Sequence, residues 1–400
     1  MPEAVIVATA RTPIGRANKG SLVECRPDDL SALIIDAVLA KVPSLDPATV
    51  EDVIWGCGQP AGEAGTNVAR VAALLAGVDA PGVTVNRYCS SSLQTIRMAA
   101  HAIKAGEGDV FISGGVETVS RFMNGMADGG PVNTKFASAR ERTKLRSQGG
   151  QPSWIPGGGL ADIYISMGDT AENVVEAEGV TREEMDEFGA RSQQLAVAHQ
   201  QNGFFEREIT PVTLPDGTVV TKDDGPRDGT TVEKLAALKP VFRPDGKVTA
   251  GNACPLNDGA AAVVVMSDTR AKELGITPLA RIVASGVSQL NPEIMGLGPI
   301  EACRQALKRA NMTMDDIDLV EINEAFAAQV IPSAKHLGIP MSKLNIHGGA
   351  IALGHPFGMT GARIMTTLIN GLQHEDKRFG LETMCVGGGQ GMAMIVERLG

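Results

Sequence analysis

Short β-branched runs alternate along this chain with stretches whose apolar residues recur at helical spacing, and the alternation occurs twice. Each copy opens with a run of buried-strand length, VIVATA at 5–10 and RIVASG at 281–286. A helix is predicted next. In the first copy Arg26-Pro27-Asp28 precedes Leu30, Leu33, Ala37 and Val38, and in the second Gly298-Pro299 precedes Ile300, Cys303 and Leu307. Second strands are read in VEDVIWG at 50–56 and IDLVEIN at 317–323, each reached through an acidic turn.

A further strand is predicted to end at the most polar point of each copy, TVNRYCSSS at 84–92 and LNIHGGAIALGHP at 344–356, with a helix after it. Both copies close with a strand that runs into glycines, DVFISGGVE at 109–117 and LETMCVGGG at 381–389. Strands alternating with helices imply right-handed βαβ units and a mixed or parallel α/β sheet covered on both faces. Two stacked duplicates predict an α-β-α-β-α five-layer sandwich.

Between the copies, from about 121 to 249, the texture turns Gly-, Pro- and charge-rich. It holds one clear helix at 181–200, started by the capping box Thr181-x-x-Glu184, and a hairpin around Pro215-Asp216-Gly217. This segment is expected to form an inserted loop domain. Residues 121–146 carry Arg121, Lys135, Arg140, Arg142, Lys144 and Arg146 against only Asp128 and Glu141, which suits either an anion or partner contact or a solvated loop.

Composition narrows the function. The chain of 400 residues carries a net charge of −10, with 43% hydrophobic and 4% aromatic residues, which fits a soluble globular protein and argues against nucleic acid as partner. Its 47 glycines exceed the roughly 7% usual in proteins, so many turns are tight or closely approached. Six cysteines (Cys25, Cys57, Cys89, Cys254, Cys303, Cys385) without a Cys-x-x-Cys pair signal neither a zinc site nor a disulfide framework. The short apolar run from Ala4 to Ala10 lacks the basic leader of a signal peptide, and no stretch reaches membrane-span length. The expected location is the cytoplasm.

Cys89 lies between a predicted strand and a helix striped by Leu93, Ile96, Ala100 and Ile103. A helix N-terminus supplies unpaired N–H groups that favour a thiolate, so Cys89 reads either as a nucleophile or as a buried inert thiol. Of six histidines, only His347 and His355 lie in glycine-rich turns at a predicted strand end. His355, in Gly354-His355-Pro356, is the better placed base, with Pro356 expected at the first helical position. Cys385 precedes Val386-Gly387-Gly388-Gly389, whose bare amides suit a developing oxyanion. Asn323, in Asn323-Glu324-Ala325-Phe326, is either a structural amide or the holder of a water.

Together these segments resemble one family, the thiolases, over essentially the whole chain: VIVATARTPIG at 5–15, TVNRYCSSSLQTI, GGVETVSR, TAGNACPLNDGAAA, EINEAFAAQ, NIHGGAIALGHPFGMTGAR and CVGGGQGMA, in that order. The resemblance implies the duplicated five-layer thiolase fold, with residues 1–120 plus 250–275 as the N-terminal half, 121–249 as the loop domain and 276–400 as the C-terminal half. It implies reversible thiolytic cleavage of a 3-ketoacyl-CoA to acetyl-CoA and a shortened acyl-CoA. Cys89 would be the acylated nucleophile, His355 the acceptor of its proton, and Cys385 the acid/base at the acetyl α-carbon. His355 and a water held by Asn323 would form one oxyanion site, and the Cys89 and Gly387 N–H groups the other.

Coenzyme A enters as a substrate; no metal or redox cofactor is implied. By the same resemblance Arg227 lies near its adenine end, and Met167, Phe242, Ala250, Cys254, Ala325 and Phe326 along its pantetheine. Cys254 stands where a serine is common, and Ser166-Met167-Gly168 replaces a His-Met-Gly of short-chain condensing members. The thiol is a poorer donor to the pantetheine, and the lost histidine favours a degradative enzyme of fatty-acid or related β-oxidation over an acetoacetyl-CoA-forming one. A non-catalytic acyl-CoA-binding protein is the alternative of another class. The resemblance further implies a homodimer or homotetramer.

Overall fold

The computed structural model describes residues 2–400, and its secondary structure follows the two predicted alternations closely. The strands are β1 (Ala4–Arg11), β2 (Gly15–Arg16), β3 (Asp52–Gly56), β4 (Gly82–Val85), β5 (Val110–Thr118), β6 (Val212–Thr213), β7 (Val219–Val220), β8 (Asn257–Ser267), β9 (Ala280–Gln289), β10 (Leu319–Ile322), β11 (Phe379–Val386) and β12 (Gln390–Arg398). The helices are α1 (Pro27–Ala40), α2 (Val68–Leu75), α3 (Ser91–Ala105), α4 (Ala137–Ser147), α5 (Met167–Glu178), α6 (Arg182–Gln201), α7 (Val232–Ala236), α8 (Asp268–Glu273), α9 (Gly298–Ala310), α10 (Ala327–Leu337), α11 (Ala350–Leu353) and α12 (Thr360–His374).

The duplication is visible in the strand order β10-β11-β12-β9-β1-β8-β5-β3-β4. Each half is a mixed sheet, with β3, β4 and β5 parallel in one and β10 and β11 parallel in the other. The expected two sheets are joined: β1 and β9 pair antiparallel through Val5–Arg281 and Ile6–Ala280. Alternation along β1 then sends Ala4 and Ile6 into the middle of the molecule and Val5 and Val7 outward. Helices α3 and α12 fill the middle layer, α1 and α2 cover the N-terminal sheet, and α9 and α10 cover the C-terminal one. Five layers result.

Local chemistry sets the elements. Helix α1 starts with Pro27 at its first position and Asp28 and Asp29 in its first turn, and buries Leu30, Ile34, Ile35 and Val38. Helix α6 carries the predicted capping box, with Thr181 N–H donating to Glu184 Oε2 at 2.7 Å and Glu184 N–H to Thr181 Oγ1 at 3.2 Å. Strands β5 and β8 are buried along their whole length, as strands sandwiched between helical layers must be.

Three sequence expectations change. No strand forms at 344–356; only a single parallel bridge links Leu344 to Val320. Asn345 adopts φ +43°, and its side chain takes over the ladder, accepting from Ile322 N–H at 2.8 Å and donating to the Ile322 carbonyl at 2.9 Å. Pro356 does not open a helix, since α12 begins four residues later at Thr360. The inserted segment has no core of its own at α5 and α6: Ala171, Val175, Met185 and Phe188 bury with Val320, Ile322, Ala327 and Val330 of the C-terminal half. Among the described residues no helix is long and apolar enough to cross a membrane.

The insert is clamped to β1 by charge. Arg11, fully buried, donates to Glu208 at 2.7 Å and to both oxygens of Asp223 at 2.8 and 3.0 Å. Glu208 also accepts from Thr367 and Asn370 of α12. Arg11→Met should destabilise the protein by about 3–5 kcal/mol, because two carboxylates would stay buried without their cation. The urea-denaturation midpoint measures this.

Candidate active site

Four chain segments meet where the two halves face one another. Cys89 sits in the 3-10 turn Tyr88–Ser90 that leads into α3, behind Tyr88 at φ +43°. The backbone N–H groups of Cys89 itself and of Gly387 act on its sulfur in the direction that favours the thiolate, and Gly387 lies against the Tyr88 ring. Gln390 ties that glycine turn to the segment leading into Cys89, accepting from Arg87 Nη1 at 2.7 Å and donating to the Gly387 carbonyl at 3.2 Å. Cys385, fully buried at the end of β11, lies close enough to Cys89 and Cys254 for their ionisation to oppose its own.

His355 is held on three sides. Its N–H donates to Asn257 Oδ1 at 2.9 Å, its Nδ1 lies 2.6 Å from Thr360 Oγ1, and Asn323 Nδ2 lies 3.3 Å from its Nε2. The Thr360 hydroxyl spends its one proton on the Pro356 carbonyl at 2.7 Å, so Nδ1 must donate to it. Nε2 is therefore left as the basic nitrogen. Asn323 is oriented by its own backbone, with N–H to the Thr383 carbonyl at 2.9 Å and its carbonyl accepting from Gln329 at 2.7 Å. Its Oδ1 is buried without a protein partner.

At two glycines the halves approach one another backbone to backbone. A Cβ on Gly361 would lie 2.3 Å from Leu93 N, and one on Gly358 2.2 Å from the Val116 carbonyl, so neither position admits a side chain. Ala362 N–H donates to Ser92 Oγ at 2.9 Å across the same seam. Glu324, fully buried, fixes the approach to His355 by accepting from Ser192, Asn345 and the Ile351 N–H.

Burial decides the proton inventory. It pushes the Cys89 thiol up to about 11, against the opposing pull of the Gly387 and Cys89 N–H groups, with the Glu117 charge adding to the rise. The thiolate expected from the helix N-terminus is thus not the resting form. Burial also raises Cys385 and Cys254, and lowers His355 to about 3, with buried Arg363 as a second cause. The resting site is two neutral thiols and a neutral imidazole. Glu321 and Glu382, side by side in register on β10 and β11 near Arg363, are likewise raised by burial, Glu321 to about 8.

The other predicted residues divide. Met167, Cys254, Ala325, Phe326 and Cys385 share one apolar cluster, Cys254 N–H bonds the Ala325 carbonyl at 3.0 Å, and Phe242 meets Phe326 edge-on at 6.1 Å. Arg227 and Ala250 are exposed, and the Arg227 N–H donates to Gln193 Oε1 at 2.8 Å. His347 is not at the site: it stacks on Phe204 at 4.0 Å, with His199 and His374 around the same ring. Sequence reasoning missed Thr360, Asn257, Glu324 and Glu117. A polar residue opening the apolar helix α12 was the one signal in the chain, at Thr360.

The family description "Thiolase, N-terminal domain" matches residues 4–269 and "Thiolase, C-terminal domain" residues 276–398. The chain is 44% identical to a beta-ketoadipyl-CoA thiolase of Acinetobacter baylyi over 411 residues and to a 3-ketoacyl-CoA thiolase of Idiomarina loihiensis over 409, covering 100% of each chain in both cases. Its fold is similar to the crystal structure of the Bacillus anthracis acetyl-CoA acetyltransferase, with a TM-score of 0.86 and 39% identity over 100% of this chain and 99% of that one.

Two outcomes follow from this geometry. Alkylation of Cys89 by iodoacetamide should accelerate with pH toward about 11 without levelling off near neutrality, as mass spectrometry of the Cys89 peptide over a pH series will report. Thr360→Val leaves the Nδ1–H of His355 without an acceptor, a loss of about 1–3 kcal/mol, or roughly 5- to 150-fold in turnover, read from steady-state kinetics.

Proposed function

The chain belongs to the thiolase family, and from that premise we propose that it is an acyl-CoA:acetyl-CoA C-acyltransferase that cleaves 3-ketoacyl-CoA thiolytically in fatty-acid or related β-oxidation. The observation that carries this reading is a buried imidazole, His355, held by Thr360 and Asn323 at 2.6 and 3.3 Å, in one fold with two buried thiols, Cys89 and Cys385, that act on each other electrostatically. A binding protein has no use for such a pair.

In the proposed reaction Cys89 Sγ attacks the 3-keto carbon and its proton passes to His355 Nε2, the nitrogen that Thr360 leaves free. The carbonyl oxygen then carries charge against the N–H groups of Cys89 and Gly387. The bond between the α- and β-carbons breaks, leaving the shortened acyl group on Cys89 and an enolate of acetyl-CoA. His355 and a water held by Asn323 face the thioester oxygen of that enolate, and the Cys385 thiol protonates its α-carbon. A thiol raised far above neutrality carries the proton this step needs. The Cys385 thiolate next takes the proton of an incoming CoA thiol, which attacks the acyl-enzyme, and the proton on His355 returns to the Cys89 sulfur. Protons and bonds balance without a metal or redox cofactor, and coenzyme A is consumed as a substrate.

We further place the pantetheine against Met167, Phe242, Ala250, Cys254, Ala325 and Phe326, with Arg227 at the adenine end, and read the protein as a cytoplasmic homodimer or homotetramer. The equal identity to a beta-ketoadipyl-CoA thiolase favours a second substrate reading, a 3-ketoacyl chain ending in a carboxylate.

Cys89→Ala and Cys385→Ala should each lower thiolysis of acetoacetyl-CoA or of a medium-chain 3-ketoacyl-CoA by at least about 10³-fold, since each removes an obligatory group. Normal thiolysis by either variant would refute the reading. Relative kcat/KM over a chain-length series that includes 3-ketoadipyl-CoA separates the substrate classes.

A further inference from the structure

Glu117, near the end of β5, is a buried carboxylate that the mechanism does not use. Its two oxygens collect donors from two distant parts of the chain. Oε2 accepts from Gly58 N–H at 2.7 Å and from Gly358 N–H at 2.8 Å, while Oε1 accepts from Gln59 N–H at 3.1 Å and lies 3.7 Å from the Cys57 sulfur. Gly358 is three residues beyond His355, so one oxygen spans the turn after β3 in the N-terminal half and the histidine turn of the C-terminal half.

The same group reaches toward the nucleophile. Gln59 clasps Asp128, accepting from its N–H at 2.9 Å and donating to its carboxylate at 2.5 Å. The other Asp128 oxygen lies 3.5 Å from the hydroxyl of Tyr88, the left-handed residue immediately before Cys89. A chain of contacts thus runs from the histidine turn through Glu117, Gln59 and Asp128 to the nucleophile turn. A carboxylate uncompensated by any cation, with three backbone N–H bonds, costs free energy to bury, and a purely structural seam is served as well by a neutral amide or hydroxyl.

We infer that Glu117 is a positioning residue for the reaction: by gathering Gly58, Gln59 and Gly358 on one ionised carboxylate, it sets the His355 turn against the Cys89 turn. The inference rests on the thiolase reading, but the two fail separately. Only the ionised form accepts on both oxygens without a proton of its own in the way, so turnover should depend on its charge. Burial raises this carboxyl to about 7, the N–H groups opposing. His355 is neutral down to about 3 and therefore contributes no acid limb in this range. The other titratable groups facing Glu117 are the Cys57 and Cys89 thiols, both raised, and across the small adjoining cavity Arg121 and Glu63, which are paired with each other at 2.6 and 2.8 Å.

As pH falls through about 7, Glu117 gains a proton and kcat should fall, with KM for the 3-ketoacyl-CoA little changed. Glu117→Gln is the test: its amide NH₂ faces one of the backbone donors, so kcat should drop by about 10²-fold and the acid limb near neutrality should vanish. Glu117→Asp, which keeps the charge but draws it back by one methylene, should lose less and retain the limb. Glu117→Gln with the parent kcat and the parent acid limb overturns the inference. Should that variant not fold, a kcat flat between about pH 5 and 8 in the unaltered enzyme overturns it equally. Loss of turnover in Cys89→Ala with none in Glu117→Gln leaves the thiolase reading standing and this inference refuted; parent activity in both refutes the reading itself.

Discussion

The seam between α3 and α12 is the constraint on which the rest of the molecule depends. These two helices lie in the middle layer, and Gly361 brings α12 onto the backbone of Leu93 one turn into α3. Helix α3 begins directly after the turn bearing Cys89, and α12 begins at Thr360, whose hydroxyl holds the His355 ring five residues earlier. A helix start is a rigid place to fix a side chain, because its position follows from the packing of the whole helix. With the two starts held side by side, the histidine turn has no freedom to drift from the thiol.

Burial at that seam has an electrostatic consequence. A thiol and an imidazole out of water resist the thiolate–imidazolium pair that a helix N-terminus would favour, and here desolvation wins over the N–H groups. The site therefore rests uncharged. In the proposed mechanism, charge develops only when substrate supplies an oxygen that the same N–H groups can stabilise, so they would act on the transition state more than on the ground state. The Cys385 thiol follows the same logic, since burial holds its proton in place.

The duplication is less symmetric than its strand order suggests. In the N-terminal half β4 completes the sheet; in the C-terminal half Asn345 does so with a side-chain amide. That substitution leaves the segment from 346 to 359 out of regular pairing, and it is this segment, held by Glu324 and Asn257, that carries His355. The inserted stretch belongs to the C-terminal half at α5 and α6 and to β1 at the Arg11 clamp, so it braces the halves against one another.

The layers and the chemistry are written in the order of residues along the chain. Periodicity of 2 and 3.6, repeated in the same order, announces a duplicated α/β fold; the capping box at Thr181 and the hairpin at Pro215-Asp216-Gly217 are local signals that local geometry obeys. The motifs around Cys89, Asn323, His355 and Cys385 point to the family, since residue types and their neighbours are properties of the chain itself. What the chain alone does not disclose is anything set by contact between remote segments. The tautomer of His355 comes from a hydroxyl whose proton is already engaged, the missing strand at 344 from an amide reaching sideways, and the joining of Glu117 to Gly358 from a fold that brings residues 241 positions apart together. Protonation likewise depends on how much water each group keeps, and water is excluded by the assembled layers, not by neighbours in sequence.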